Sequence, residues 1–129
     1  DWGIFTAAVA DFQPESVFEG KLPSNQKQLS LKLVPTVKVI EEVRQNFPEL
    51  KMVTFKYEEN ISHEKLMEIA KKRLSEKVGS QLVVANRVEE FKQDGTQVAW
   101  LLESKQEPQK HIGKKDIANA ILDRIELTA

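Results

Sequence analysis

The alternation of apolar and polar positions begins with a nearly unbroken apolar run, Gly3 to Phe12, interrupted late by Asp11. Such a run predicts a strand buried on both faces, as in a parallel sheet. Its closing acid falls where open α/β sheets meet their ligands, beyond the carboxyl ends of the strands. The run is too short to cross a bilayer and has no basic leader, so neither a membrane span nor a signal peptide fits it. A parallel strand needs neighbours on both sides. The reading is therefore either a sheet edge or the second half of a larger domain.

Gln13 to Asn25 carries Pro14, Gly20, Pro23, Ser24 and Asn25, which is loop chemistry. Gln28 to Val34 alternates with the period of a half-exposed strand, and Pro35 breaks it. From Thr36, the positions Val37, Ile40, Val43 and Phe47 recur at helical spacing until Pro48. Leu50 to Tyr57 predicts a second strand. Ser62 is a candidate N-cap for a helix running to about Val78, with Leu66, Ile69, Ala70 and Leu74 inward and Gly79 as the stop. Gln81 to Asn86 predicts a third strand. Asp94-Gly95 marks a hairpin turn leading into a strand over Thr96 to Glu103, and Lys114 to Leu127 predicts a closing helix. This succession is that of a doubly wound α/β sheet.

Composition narrows the function classes. The 129 residues suit one domain, and 19 basic against 20 acidic side chains leave a net charge of -1. No global field recruits nucleic acid or an anionic membrane. The lack of cysteine removes disulfides and thiol catalysis and suits a reducing cytoplasm. His63 and His111 read as surface residues, and two histidines do not make a metal centre, so no side-chain metal site is expected. Ser24, Thr36 and Ser62 have no histidine at fixed spacing, which leaves a hydrolase triad without support. No glycine-rich phosphate loop occurs.

Three strand ends point the same way in a parallel sheet: Asp11, the Phe55 to Glu58 stretch, and Asn86. Asp11 could accept hydrogen bonds from a ligand, hold a hydrated magnesium ion, or cap the next turn. Lys21, in a loop marked by Gly20 and Pro23, is either a mobile ammonium that closes over phosphates or a solvated lysine. Phe55 is either a stacking platform for a base or core. Arg73 and Lys77, one helical turn apart, either face an anion together or belong to a solvated basic face.

The ordered pieces are Ala7-Ala8-Val9-Ala10-Asp11-Phe12, Lys21-Leu22-Pro23-Ser24, Leu29 to Thr36, Val53 to Glu58 and Val83-Val84-Ala85-Asn86. In that order they resemble the phosphopantothenate–cysteine ligases, and more closely the C-terminal part of the ligase domain in the DNA/pantothenate metabolism flavoprotein family. The resemblance implies a Rossmann-like, three-layer α/β/α fold with a mostly parallel sheet and a β flap. Residues 1–129 would be its C-terminal, nucleotide-binding portion. It implies a part in coenzyme A biosynthesis, in which CTP or ATP with Mg2+ activates 4′-phosphopantothenate for attack by cysteine. It also implies a cytoplasmic homodimer, fused to or associated with a flavin-dependent decarboxylase.

By the same resemblance, Phe5, Thr6, Ala7 and Asp11 border the nucleotide, and Lys21 is the flap lysine that acts on the phosphates during catalysis. Pro35, Thr36, Val37 and Lys38 form the segment at the next helix start. Phe55 is the base-side aromatic, and Arg73 and Lys77 are phosphate ligands. Two features depart from the family pattern. The flap reads Lys21-Leu22-Pro23-Ser24 rather than carrying further lysines, and Val34-Pro35-Thr36 replaces an Asn-Pro-Asp found in many bacterial members. The family's glycine-rich turn and catalytic asparagine belong to the preceding half of the domain. The rival expectation is a non-catalytic nucleotide- or small-molecule-binding module of the same fold, kept for assembly.

Overall fold

In the computed structural model, residues 1–75 and 79–128 are described. The chain runs β1 (Trp2–Phe5), β2 (Phe12–Pro14), β3 (Leu33–Pro35), α1 (Val39–Asn46), β4 (Lys51–Glu58), α2 (His63–Ser75), β5 (Leu82–Arg87), β6 (Val98–Glu103), β7 (Gln109–Ile112) and α3 (Lys114–Leu127). Five strands form the main sheet in the order β1-β4-β5-β6-β7, while β2 and β3 make a separate ribbon. β1, β4 and β5 pair in parallel, β6 is antiparallel to β5, and β7 is antiparallel to β6. Four of the five strands therefore run the same way, and only β6 is reversed.

The two-residue period of the strands sorts side chains between two helical layers. Val53, Leu82, Val84, Ala99 and Leu101 pack against Ile117 and Ile121 of α3. On the other face, Val83, Ala85 and Leu102 meet Leu66, Met67 and Ala70 of α2. Arg44 of α1 donates to the Gly79 carbonyl at 3.0 Å, so α1 stands on the α2 side. The result is a three-layer, Rossmann-like arrangement.

Helix α2 starts as its sequence directs. Ser62 Oγ accepts the Lys65 N–H at 3.2 Å, and the Ser62 carbonyl accepts from Leu66. It runs through Ser75; the expected continuation to Val78 lies outside the described residues. Asp116, in the first turn of α3, accepts the Ile112 N–H at 2.9 Å and ties the helix start to β7.

Several expectations need correction. The Gly3 to Phe12 run is not one doubly buried strand: β1 ends at Phe5, residues 6–10 are irregular and exposed, and Phe12 opens β2. Ile4 is 47% exposed, because β1 pairs with β4 alone among the described strands. A Cβ at Gly3 would come 2.8 Å from the Phe5 ring, so a larger residue there would have to move that ring. Of Gln28 to Val34, only Leu33 and Val34 enter a strand, with Pro35 as its last residue. The first helix starts at Val39 rather than Thr36, with Lys38 as its N-terminal flank.

Asp94-Gly95 does turn, with Gly95 at φ +81, but inside a longer connection that includes a 3-10 turn over Val88–Glu90. The strand after it begins at Val98, not Thr96. β7 was not expected from sequence at all. Its Gln-Lys-His-Ile lacks an apolar alternation because it is an edge strand.

Candidate functional site

The carboxyl ends of β1 and β4 open into a cleft of about 640 Å3. The segment after β1 forms one wall, the approach to α1 a second, and the last half of β4 the floor. Of the residues expected at the site, Phe5, Thr6, Ala7, Asp11, Thr36, Val37, Lys38, Phe55 and Arg73 line this one cleft. Pro35 sits in β3 beside it without lining it. Lys21 is exposed and stands off the cleft wall, in irregular chain next to Gly20 at φ +98. Lys77 lies outside the described residues. Asn86 is not a strand end, because β5 continues to Arg87, and it pairs in register with Tyr57.

Two walls are tied together at Asp11. Its carbonyl accepts the Thr36 N–H at 2.9 Å, and the Thr36 hydroxyl donates to the Ala10 carbonyl. Lys38 Nζ donates to the Asp11 carboxylate. That hydrogen bond, and then the Lys38 charge, hold the Asp11 carboxyl below the ordinary aspartate range, with the Lys56 ammonium adding to them. Asp11 is therefore an anion paired with a cation at the cleft mouth, not the cap of a turn within its own segment.

Sequence reasoning passed over Lys56, which lines the cleft from β4 and pairs with Glu58 at 2.5 Å. The signal was present but ambiguous, because Lys56 sits between Phe55 and Tyr57 in an apolar-looking strand. The cleft thus has three cations on its walls, Lys38, Lys56 and Arg73, against the acids Asp11 and Glu41. At its inner end Ser80 also lines it, hydrogen-bonded to the buried Thr54 hydroxyl at 2.7 Å.

The histidines are half-buried rather than surface residues. His63 Nδ1 lies 2.6 Å from Glu90 Oε1, and its ring stands edge-on to Trp100 at 4.7 Å. Trp100 Nε1 donates to the other Glu90 oxygen at 2.8 Å. Arg87 Nε lies 3.2 Å from the same carboxylate without hydrogen-bond alignment. Burial pushes the Glu90 carboxyl up, but its contacts with Trp100, His63 and Arg87 outweigh this and hold it below the usual range. This hub fastens the start of α2 to the turn after β5, next to the cleft floor. His111 pairs with Asp116 at 3.3 Å.

No group of three histidine or acidic side chains among the described residues is placed to cage a metal ion. None of the described helices is long and apolar enough to cross a membrane.

A Rossmann-like sheet with a cleft beyond its parallel strand ends, walled by two acids, three cations and three aromatic side chains, has the build of an α/β domain with its cleft at the usual ligand position. The chain belongs to the DNA/pantothenate metabolism flavoprotein C-terminal domain family, which it matches over residues 1–128. It is 33% identical over 123 residues to the coenzyme A biosynthesis bifunctional protein CoaBC of Thermococcus kodakarensis, covering 95% of this chain and 30% of that protein. To the protein of the same name from Methanocaldococcus jannaschii it is 34% identical over 124 residues, with the same two coverages. The chain thus spans under a third of the length of these relatives. The crystal structure of the DNA/pantothenate metabolism flavoprotein from Streptococcus pneumoniae superposes with a TM-score of 0.81 at 25% identity, over 98% of this chain and 62% of that one.

Proposed function

We propose that this chain supplies the nucleotide side of a phosphopantothenate–cysteine ligase acting in coenzyme A biosynthesis. The observation that carries the reading is that nine of the expected residues, drawn from segments far apart in the chain, line one cleft at the strand ends. Family membership and the names of the relatives support the pathway. On this reading a carboxylate oxygen of 4′-phosphopantothenate attacks the α-phosphorus of CTP or ATP. The bond to pyrophosphate breaks and an acyl-nucleotidylate forms. The cysteine amine then attacks the acyl carbon, loses a proton, and expels the nucleoside monophosphate.

The chain's own groups divide the work. Phe5, Thr6 and Ala7 border the nucleotide with backbone, and Phe55 offers a face to the base. Asp11 accepts from the nucleotide's donor groups. Lys38 and Arg73 oppose phosphate charge, with Pro35, Thr36 and Val37 shaping the approach to α1; Lys77 is assigned to the same task by resemblance. Lys21 reaches in from the flap as charge builds on the departing pyrophosphate. A magnesium ion, when bound, neutralises part of the triphosphate charge. With no side-chain cage among the described residues, it would be carried by the phosphates and water, within reach of Asp11.

The glycine-rich turn and asparagine would come from the rest of a longer ligase, to which a flavin-dependent decarboxylase is fused or bound. The setting is cytoplasmic. Nucleotide-dependent pyrophosphate release in the presence of both other substrates tests this reading.

We also assign the β2–β3 ribbon to pairing between two subunits. Phe12, Leu31 and Leu33 on or beside it are more than half exposed, and ribbon edges are templates for such pairing. Light scattering of the complete protein should return twice the chain mass, and a monomeric mass at every concentration would refute the assignment.

A further inference from the structure

Lys56 is the cleft cation for which the family pattern provides no role, and its geometry is specific. Along β4 the side chains of Thr54, Lys56 and Glu58 share one face, the face that carries α2 and Arg73. Lys56 is about three-quarters buried, with its side chain 25% exposed, so its stem is fixed against the sheet rather than swept through solvent. Glu58, two residues on, takes the ammonium at 2.5 Å and draws it toward the strand's carboxyl end. The contact is an ion pair without an aligned hydrogen bond, so the ammonium keeps donors to offer a ligand. The Lys56 charge also acts on Asp11 across the cleft, which puts it on the side where β1, α1 and β4 converge.

The other walls hold a matching arrangement. Lys38 is neutralised by Asp11 as Lys56 is by Glu58, and Arg73 faces the same space from α2. An acid therefore stands beside each lysine, and Glu41 is the remaining acid on the wall. A lysine this far buried has already given up much of its contact with water. A polyanion entering the cleft brings several oxygens to a site where a single carboxylate now competes.

We propose that Lys56 is a polyphosphate ligand of this cleft that exchanges its resting partner Glu58 for a phosphate oxygen when a nucleotide enters. The inference rests on the nucleotide-site reading above and adds to it a binding residue and a counter-ion. Glu58 holds the ammonium in the empty cleft, then yields it. Three cations, from the approach to α1, from β4 and from α2, would then surround the phosphate chain, which selects a triphosphate over a single phosphate by charge.

Inorganic tripolyphosphate is the probe, titrated calorimetrically into the protein across a salt series. Lys56→Met should weaken binding by about tenfold and lower the salt dependence by about one ion. Lys56→Arg should restore most of the affinity. Glu58→Gln, which removes the competing carboxylate, should tighten binding by about threefold. Lys115→Met, on the α3 face, should change nothing. Unaltered affinity in Lys56→Met, with losses in Lys38→Met or Arg73→Met, would overturn the role of Lys56 while leaving the cleft an anion site. Absence of tripolyphosphate binding by the unmodified protein would overturn it as well. Pyrophosphate release with CTP or ATP, followed on the same samples, reports separately on the ligase reading.

Discussion

Lys21→Ala in the complete ligase is expected to lower turnover by roughly 100-fold while leaving nucleotide affinity within about threefold. The ribbon closes at its base through the Glu15 N–H to Lys32 carbonyl bond at 2.9 Å and the Glu15–Lys32 ion pair at 2.6 Å. Beyond that base the chain over residues 16–31 is irregular and mostly polar, and Lys21 is exposed on it and does not line the cleft. A lysine so placed contributes little to the resting site. On the proposed reading it would gain its partners when the flap closes, and a closing cation is worth most where charge accumulates on leaving pyrophosphate. Single-turnover kinetics beside direct nucleotide titration separates the two quantities. Equal losses in affinity and turnover would make Lys21 an ordinary ground-state contact.

The second large effect is on folding. Leu66 is completely buried, wedged between α2 and the strands that carry Val83, Ala85 and Leu102. Leu66→Ala removes that contact and leaves a cavity that the rigid sheet fills poorly, so unfolding free energy should fall by about 2–5 kcal/mol. Against total stabilities of about 5–15 kcal/mol this is a large share. Chemical denaturation should register it as a lower midpoint at an unchanged slope. A loss below about 1 kcal/mol would mean that α2 repacks, and the description of this core would have to change.

The elements that carry the core were legible because their sequences obey one rule each. β5 is a short apolar run, β4 carries Met52, Val53, Phe55 and Tyr57 in a strand-length segment, α2 has a capping serine and a helical stripe, and α3 shows Ile117, Ile121 and Ile125 on one face. The edges were not legible. β1 shares the apolar character of a central strand, yet alanines 7, 8 and 10 have little strand preference, and the chain leaves the sheet after Phe5. β7 is polar because its outer side faces solvent. Its place is fixed by pairing with β6, which no local pattern reports.

The candidate site divides along the same line. Asp11 and Phe55 were visible as an acid and an aromatic at strand ends, and the structure puts both on the cleft. The Lys38–Asp11 contact joins residues 27 apart in sequence, so spacing could not reveal it. Lys56 was hidden by its own strand, and the Glu90 hub joins the start of α2, the turn after β5 and the middle of β6. Such groups become meaningful only when the sheet order is known.

The central claim is that this cleft binds the nucleotide consumed by a ligase. Its most direct test is pyrophosphate release by the complete protein with CTP and with ATP, each in the presence of 4′-phosphopantothenate and cysteine, for the unmodified protein and for Asp11→Ala. The account predicts release that requires 4′-phosphopantothenate, runs with one nucleotide in preference to the other, and needs a nucleotide concentration raised by about tenfold or more in Asp11→Ala. Release that is indifferent to 4′-phosphopantothenate, or an Asp11→Ala variant with unchanged nucleotide dependence, would contradict it.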